Sequence, residues 1–258
     1  MIRLLVFISL LHLTLIGFCQ KNLRRLPQHS FKNGEKLKYN VHYGLVNGGT
    51  LVLEIQELKN IQNRVCYHVV GKGESKGAVD WFFKVRDNYE TFIDTIAILP
   101  LQFIRNVKEG KYKKYEDAIF NHQKNVVLNS SDSVKIPANA QDILSAYYYS
   151  RCIDVSKKSV GDTISIFAYI DNEVAPFHLK LTGKETIKTS IGTFKCLIFK
   201  PQLQTGRAFS EKEGMTIWVS DDANHIPIRV EAKLIVGSIK LDLEEYNGIR
   251  NPFTSKTD

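Results

Sequence analysis

Sulfur is scarce in this chain. Its 258 residues include 4 Cys and 2 Met, and Trp occurs only twice. So few cysteines exclude a disulfide-stapled scaffold and a cysteine-rich metal protein. The seven histidines form no H-x-H or H-E-x-x-H pattern, so no zinc site is visible. No G-x-x-x-x-G-K-[ST] string exists and no G-x-G-x-x-G follows a strand-like run, which leaves nucleotide chemistry unsupported. Repeats, low-complexity tracts and Pro-rich linkers are missing between residues 30 and 250, so one domain is expected there. What is present is 43% hydrophobic and 24% charged residues with a formal net charge of +8. That composition suits a soluble globular protein with a mild basic excess.

The first residues read as an address. Arg3 precedes an apolar run over residues 4–16, and Gly17 and Cys19 follow, which is the layout of a secretory signal peptide. The run is shorter than the ~20 residues needed to cross a bilayer. The bulky Phe18 before Cys19 speaks for ordinary cleavage after residue 19, with lipid anchoring at Cys19 as the alternative. Export to the periplasm or outside the cell is therefore expected, with no span left after cleavage and a net charge of about +7. The expected layout is a signal at 1–19, an N-terminal tail at 20–30, a domain at 31–250 and a C-terminal tail at 251–258. Cys66, Cys152 and Cys196 remain, an odd number, so at least one thiol is unpaired within the chain.

Period-two alternation marks half-buried strands at Leu37/Tyr39/Val41/Tyr43, Leu51/Leu53/Ile55, Phe177/Leu179/Leu181 and Ile239/Leu241/Leu243. Runs apolar on both faces, at residues 164–170, 194–199 and 226–236, predict covered strands. Asn47-Gly48-Gly49, Glu109-Gly110-Lys111, Gly161-Asp162 and Ile191-Gly192-Thr193 predict turns. One substantial amphipathic helix is expected over 141–153, with Asn139 as its N-cap. The fold expectation is mainly β: one domain of curved antiparallel sheet, an open barrel or sandwich, with the helix on its open face.

Several residues invite a chemical reading. Gly73-Glu74-Ser75-Lys76-Gly77 matches the nucleophile elbow, which places a serine between a strand and a helix. The segment after it, Val79 to Val85, reads as a further strand, so a polar turn explains the string better. Asp221, Asp222 and His225 could hold a metal or move protons, or simply form the turn before Pro227. The run Lys108-Glu109-Gly110-Lys111-Tyr112-Lys113-Lys114-Tyr115 reads as a solvated hairpin. Its charge also suits anionic headgroups or acidic glycans. No cofactor and no nucleic-acid partner is expected.

Five strings in order carry a resemblance. They are residues 76–87 (KGAVDWFFKVRD), 99–105 (LPLQFIR), 109–112 (EGKY), 142–151 (DILSAYYYSR) and 218–229, from Trp218-Val219-Ser220-Asp221-Asp222 to Ile226-Pro227-Ile228-Arg229. Together they resemble the bacterial exported family catalogued as domain of unknown function 3108. The resemblance implies an envelope-associated protein whose curved sheet is similar to the open β-barrels of periplasmic lipoprotein carriers. It implies no catalytic residues. On that basis Trp81, Phe83, Phe103, Tyr147, Tyr148 and Arg151 are the candidate ligand-binding residues, with a packed aromatic core as the alternative reading of the rings. The expected function is non-enzymatic binding of a hydrophobic or lipid-like envelope ligand. The alternatives are an assembly or structural protein that docks a protein partner, and a serine hydrolase using Ser75.

Overall fold

Alternation of apolar and polar residues along each run builds a single sheet with one face turned inward. The structure, a computed structural model, describes residues 23–44, 46–130, 132–202, 214–233 and 238–258. The signal-like segment with Cys19, and the end of the run at 226–236, lie outside the described residues. A first meander contains β1 (Lys36–Tyr43), β2 (Val46–Ile61), β3 (Arg64–Ser75), β4 (Arg86–Asp94), β5 (Pro100–Glu109), β6 (Tyr112–Asn121), β7 (Val126–Leu128) and β8 (Ser133–Lys135). After the short β9 (Gln141–Asp142), a second meander holds β10 (Thr163–Ile170), β11 (Glu173–Thr189), β12 (Gly192–Gln202), β13 (Met215–Ser220), β14 (Pro227–Lys233) and β15 (Ser238–Asn247). β1 pairs with β15, joining the meanders into one sheet that runs from β8 to β9. All its ladders are antiparallel except the short β9–β10 pairing.

The sheet curls until its ends meet through side chains rather than through a backbone ladder. Tyr169 on β10 donates a 2.9 Å hydrogen bond to Glu116 on β6 and shares a core cluster with Phe103, Ala118 and Phe120. Asp171, in the β10–β11 turn, pairs with Arg105 and Lys114 of β5 and β6. On β9, Gln141 donates to the Ile98 carbonyl at 3.0 Å. The result is an open barrel in its hydrogen bonding and a closed one in its packing.

Among the described residues two α-helices interrupt the strands, α1 (Gly77–Phe82) and α2 (Ile143–Arg151). The helix expected over 141–153 is shorter at both ends. Asp142, not Asn139, is its N-cap: the Asp142 carboxylate accepts from the backbone amides of Leu144 and Ser145, and the Asp142 amide donates to Ser145 Oγ at 2.8 Å. Asn139 sits at φ +63° in the turn before β9. Nor does α2 merely cover one face. None of its residues is exposed, and Ile143, Leu144, Ala146 and Tyr148 between them reach four core clusters. A helix with no exposed side belongs inside, its polar groups bonded there, and α2 is the plug of the barrel.

Three further expectations are corrected. Asn47-Gly48-Gly49 is not a hairpin loop but part of β2. Its glycines serve close approach: a Cβ on Gly49 would lie 2.4 Å from the Glu74 carbonyl oxygen. Residues 79–82, expected as part of a strand, belong to α1, with Phe83 as its C-cap. The segments expected as tails lie against the barrel. Arg24 donates to the carbonyls of Ala97 and Ile98, and the Ser255 hydroxyl donates to Asp222 at 2.6 Å.

Candidate functional site

The middle of the barrel is fixed by a buried ion pair. Arg151, at the end of α2, meets the fully buried Glu35 with two hydrogen bonds of 2.5 and 2.8 Å. Its remaining N–H groups reach the carbonyls of Ser30 and Asn224 and the Tyr147 hydroxyl, so all five donors are engaged. The rings of Phe31, Tyr147 and Tyr148 lie 5.4–5.5 Å from the guanidinium carbon. Burial works against this charge, but Tyr147 and Glu35 outweigh it and hold the group above its ordinary range.

Two apolar spaces stand out among the described residues. One, of about 250 Å³, lies between α2 and β10–β13 and is lined by residues including Ala146, Tyr147, Ile166, Leu179 and Phe199. The other, of about 430 Å³, is a hollow at the end of the barrel beside α1. Val41, Leu51 and Ile239 line it, continuing the inward faces that bury Leu37, Tyr39, Leu53 and Leu243 further in. Val79 and Phe83 border it from α1 and its C-cap. Gly48, Gly49 and Gly73 leave this end of the sheet without side chains, which is why it remains hollow.

The expected binding residues are therefore divided. Tyr147 and Arg151 line the cavity beside α2, and Phe83 lines the hollow. Phe103 and Tyr148 are fully buried in two separate clusters. Trp81 is 83% exposed on the outer side of α1, and Phe82 beside it 79%. Sequence reasoning missed Glu35, 116 positions from its partner, and no local signal could have shown it. It also missed the hollow-lining Val41, Leu51 and Ile239, although they sit on strand faces that it assigned.

Ser75 stands between a strand and a helix, as an elbow serine would, but its hydroxyl is committed to the turn. It donates to Asp80 Oδ1 at 2.5 Å and accepts from the Val85 amide at 2.8 Å. Arg86 pairs with the same Asp80 carboxylate. That bond first, and the Ser75 bond second, lower the Asp80 carboxyl to about 2. Asp222 accepts from Ser220, Asn224 and Ser255, and Asp221 pairs with Lys184, so both acids hold the turn before β14 together. His225 Nδ1 lies 2.9 Å from the Arg151 carbonyl. Among the described residues no group of three or more His, Cys, Asp or Glu could hold a metal ion. Cys66, Cys152 and Cys196 are free thiols, and burial pushes each up to about 12, far from a reactive thiolate at neutral pH.

Residues 38–244 match the model of a family described as protein of unknown function, DUF3108. The chain belongs to this family. A search of curated proteins finds no match. The crystal structure of a β-barrel-like protein of the domain of unknown function DUF1849, from Brucella abortus, shares the fold. Its TM-score is 0.56 at 12% identity, over 85% of this chain and 99% of that one. Weaker likenesses run to a candidate exported protein with a YmcC-like fold from Bacteroides fragilis (TM-score 0.31, 15% identity, 86% and 98% covered) and a candidate lipoprotein from Parabacteroides distasonis (0.33, 13%, 88% and 100%). Among the described residues no helix is long and apolar enough to cross a membrane.

Proposed function

We propose that this DUF3108 member is an exported, non-enzymatic envelope protein that holds a hydrophobic or lipid-like ligand in the hollow beside α1. The observation that carries the reading is the hollow itself. At about 430 Å³ it falls within the ~300–1,000 Å³ of small-molecule sites, whereas the cavity beside α2, at about 250 Å³, falls below it. Its inward side chains are aliphatic and aromatic, so affinity comes from apolar surface leaving water, about 0.8 kcal/mol for each methylene buried. The signal-like residues 1–19 support the compartment.

Docking of a protein strand has less support. Both edges of the sheet are short, three residues in β8 and two in β9, and offer little backbone to extend. Ser75 chemistry is disfavoured by the hydroxyl's bonds to Asp80 and Val85.

The test is mass spectrometry of a solvent extract from protein recovered from its own cells. An acyl lipid near one per chain is expected, and Leu51→Trp, which fills the hollow, should lose it while unfolding at the same temperature as delipidated wild type. An empty extract, or an unchanged lipid content in Leu51→Trp, overturns the reading.

A further inference from the structure

The mouth of the hollow carries a second pattern on its outer rim. α1 buries none of its side chains and has no side-chain N-cap, yet it carries Trp81 and Phe82 with ring centroids 4.8 Å apart. Such a short, uncapped helix gains nothing for the fold by placing two large aromatics in water. The rim also gathers cations. The Gly110 amide donates to the Lys84 carbonyl at 2.8 Å, and a Cβ on Gly110 would lie 3.1 Å from the Phe83 ring. The β5–β6 hairpin is therefore pinned beside α1. It brings exposed Lys108, Lys111, Tyr112 and Lys113 next to exposed Lys76 and Lys84. Of the nearby acids, Asp80 pairs with Arg86, Asp87 accepts from the Lys108 amide, Glu109 is half-buried, and the exposed Glu74 is outnumbered by the lysines.

An aromatic pair ringed by lysines is complementary to one kind of partner, a bilayer surface with anionic headgroups. Trp favours the boundary between headgroups and acyl chains, and each nearby lysine gains from the negative surface potential. We propose that α1 and the β5–β6 hairpin form a docking surface for anionic lipid membranes, with Trp81 and Phe82 entering the interface and the lysines contacting the headgroups. Docked this way, the barrel presents the mouth of its hollow to the lipid. The surface is exterior and does not depend on whether the hollow is filled.

Sedimentation with vesicles of phosphatidylcholine, with and without phosphatidylglycerol, tests it, using protein expressed from the full chain and recovered in the form the cell leaves it. Binding to the anionic vesicles is expected to fall roughly tenfold or more in Trp81→Ala/Phe82→Ala and in Lys111→Glu/Lys113→Glu. Leu51→Trp should bind as the wild type does, which separates this surface from the hollow. In a Trp218→Phe background, the emission of Trp81 should shift to the blue on anionic vesicles. Equal binding to neutral vesicles, unchanged binding in both rim variants, or an unshifted emission overturns the proposal. So does photocrosslinking from position 81 to an envelope protein instead of lipid.

Discussion

The two helices carry similar chemistry in opposite settings. Each brings aromatic residues and stands beside one arginine–carboxylate pair: Glu35 with Arg151 at α2, and Asp80 with Arg86 at α1. At α2 the pair is dry, all five guanidinium donors are engaged, and three aromatic rings surround it. At α1 the pair is part-exposed and the aromatics face water. The same residue types thus plug the middle of the barrel at α2 and border an open hollow at its end at α1. Composition does not separate these roles; what decides is whether the backbone carries the side chains inside or outside the sheet.

The largest expected effect breaks the buried pair. Glu35→Gln leaves Arg151 charged, enclosed and short of its counter-ion, and should cost about 3–5 kcal/mol in urea unfolding. Asp80→Asn, the matching change at α1, should shift the urea midpoint far less, because water solvates whichever partner remains. Equal losses in the two variants would end the contrast between the helices.

Acid separates them by sign. Burial, against hydrogen bonds from Thr91, Ser145 and Leu144, raises the Asp142 carboxyl from 3.8 to about 6. The native state then binds that proton more tightly than the unfolded chain. Its contribution to stability falls as pH rises from about 4 through about 6 and is level above. A shift of about 2 units corresponds to roughly 3 kcal/mol. Asp142→Asn keeps a capping oxygen and removes the titration. The wild type should therefore lose stability relative to Asp142→Asn between pH 4 and pH 7, measured by urea melts at each pH. Parallel curves would show that the buried cap carries no such charge. Asp80, held at about 2, works the other way: its contribution is lost only as pH falls through the range from about 4 to about 2, so it is silent in that window.

The sheet was legible because alternation is a local signal. β1, β10, β12 and β15 could each be read from their own residues, and so could the turns at Gly110 and Gly192. Two local signals misled. The glycines at 48 and 49 resemble turn residues, but Gly49 answers to the backbone of β3 and Gly48 lies against Val79 of α1. Val79 to Phe83 looks like a strand because it is apolar and aromatic, yet its strand-like side chains have no sheet neighbour and wind into α1. The site was less legible still, since Val41, Leu51, Val79 and Ile239 converge only after the sheet curls. The buried partner of Arg151 lies in the segment before β1, where nothing marks Glu35 as different from other glutamates.

The smallest expected effect concerns two aromatics of the segment that sequence reading took for a strand. Trp81→Ala/Phe82→Ala removes two of the largest side chains in the protein, a change that in a packed core costs about 3–5 kcal/mol for each. Here both are four-fifths exposed and α1 buries nothing, so each substitution should alter stability by no more than about 0.5 kcal/mol. Thermal unfolding of the double variant in the absence of lipid checks it. A loss of several kcal/mol would mean that the rings pack against the barrel in solution, and α1 would join α2 as part of the core. A loss near zero leaves the exposed aromatics without a structural purpose, and their position at the mouth of the hollow then calls for a role outside the fold.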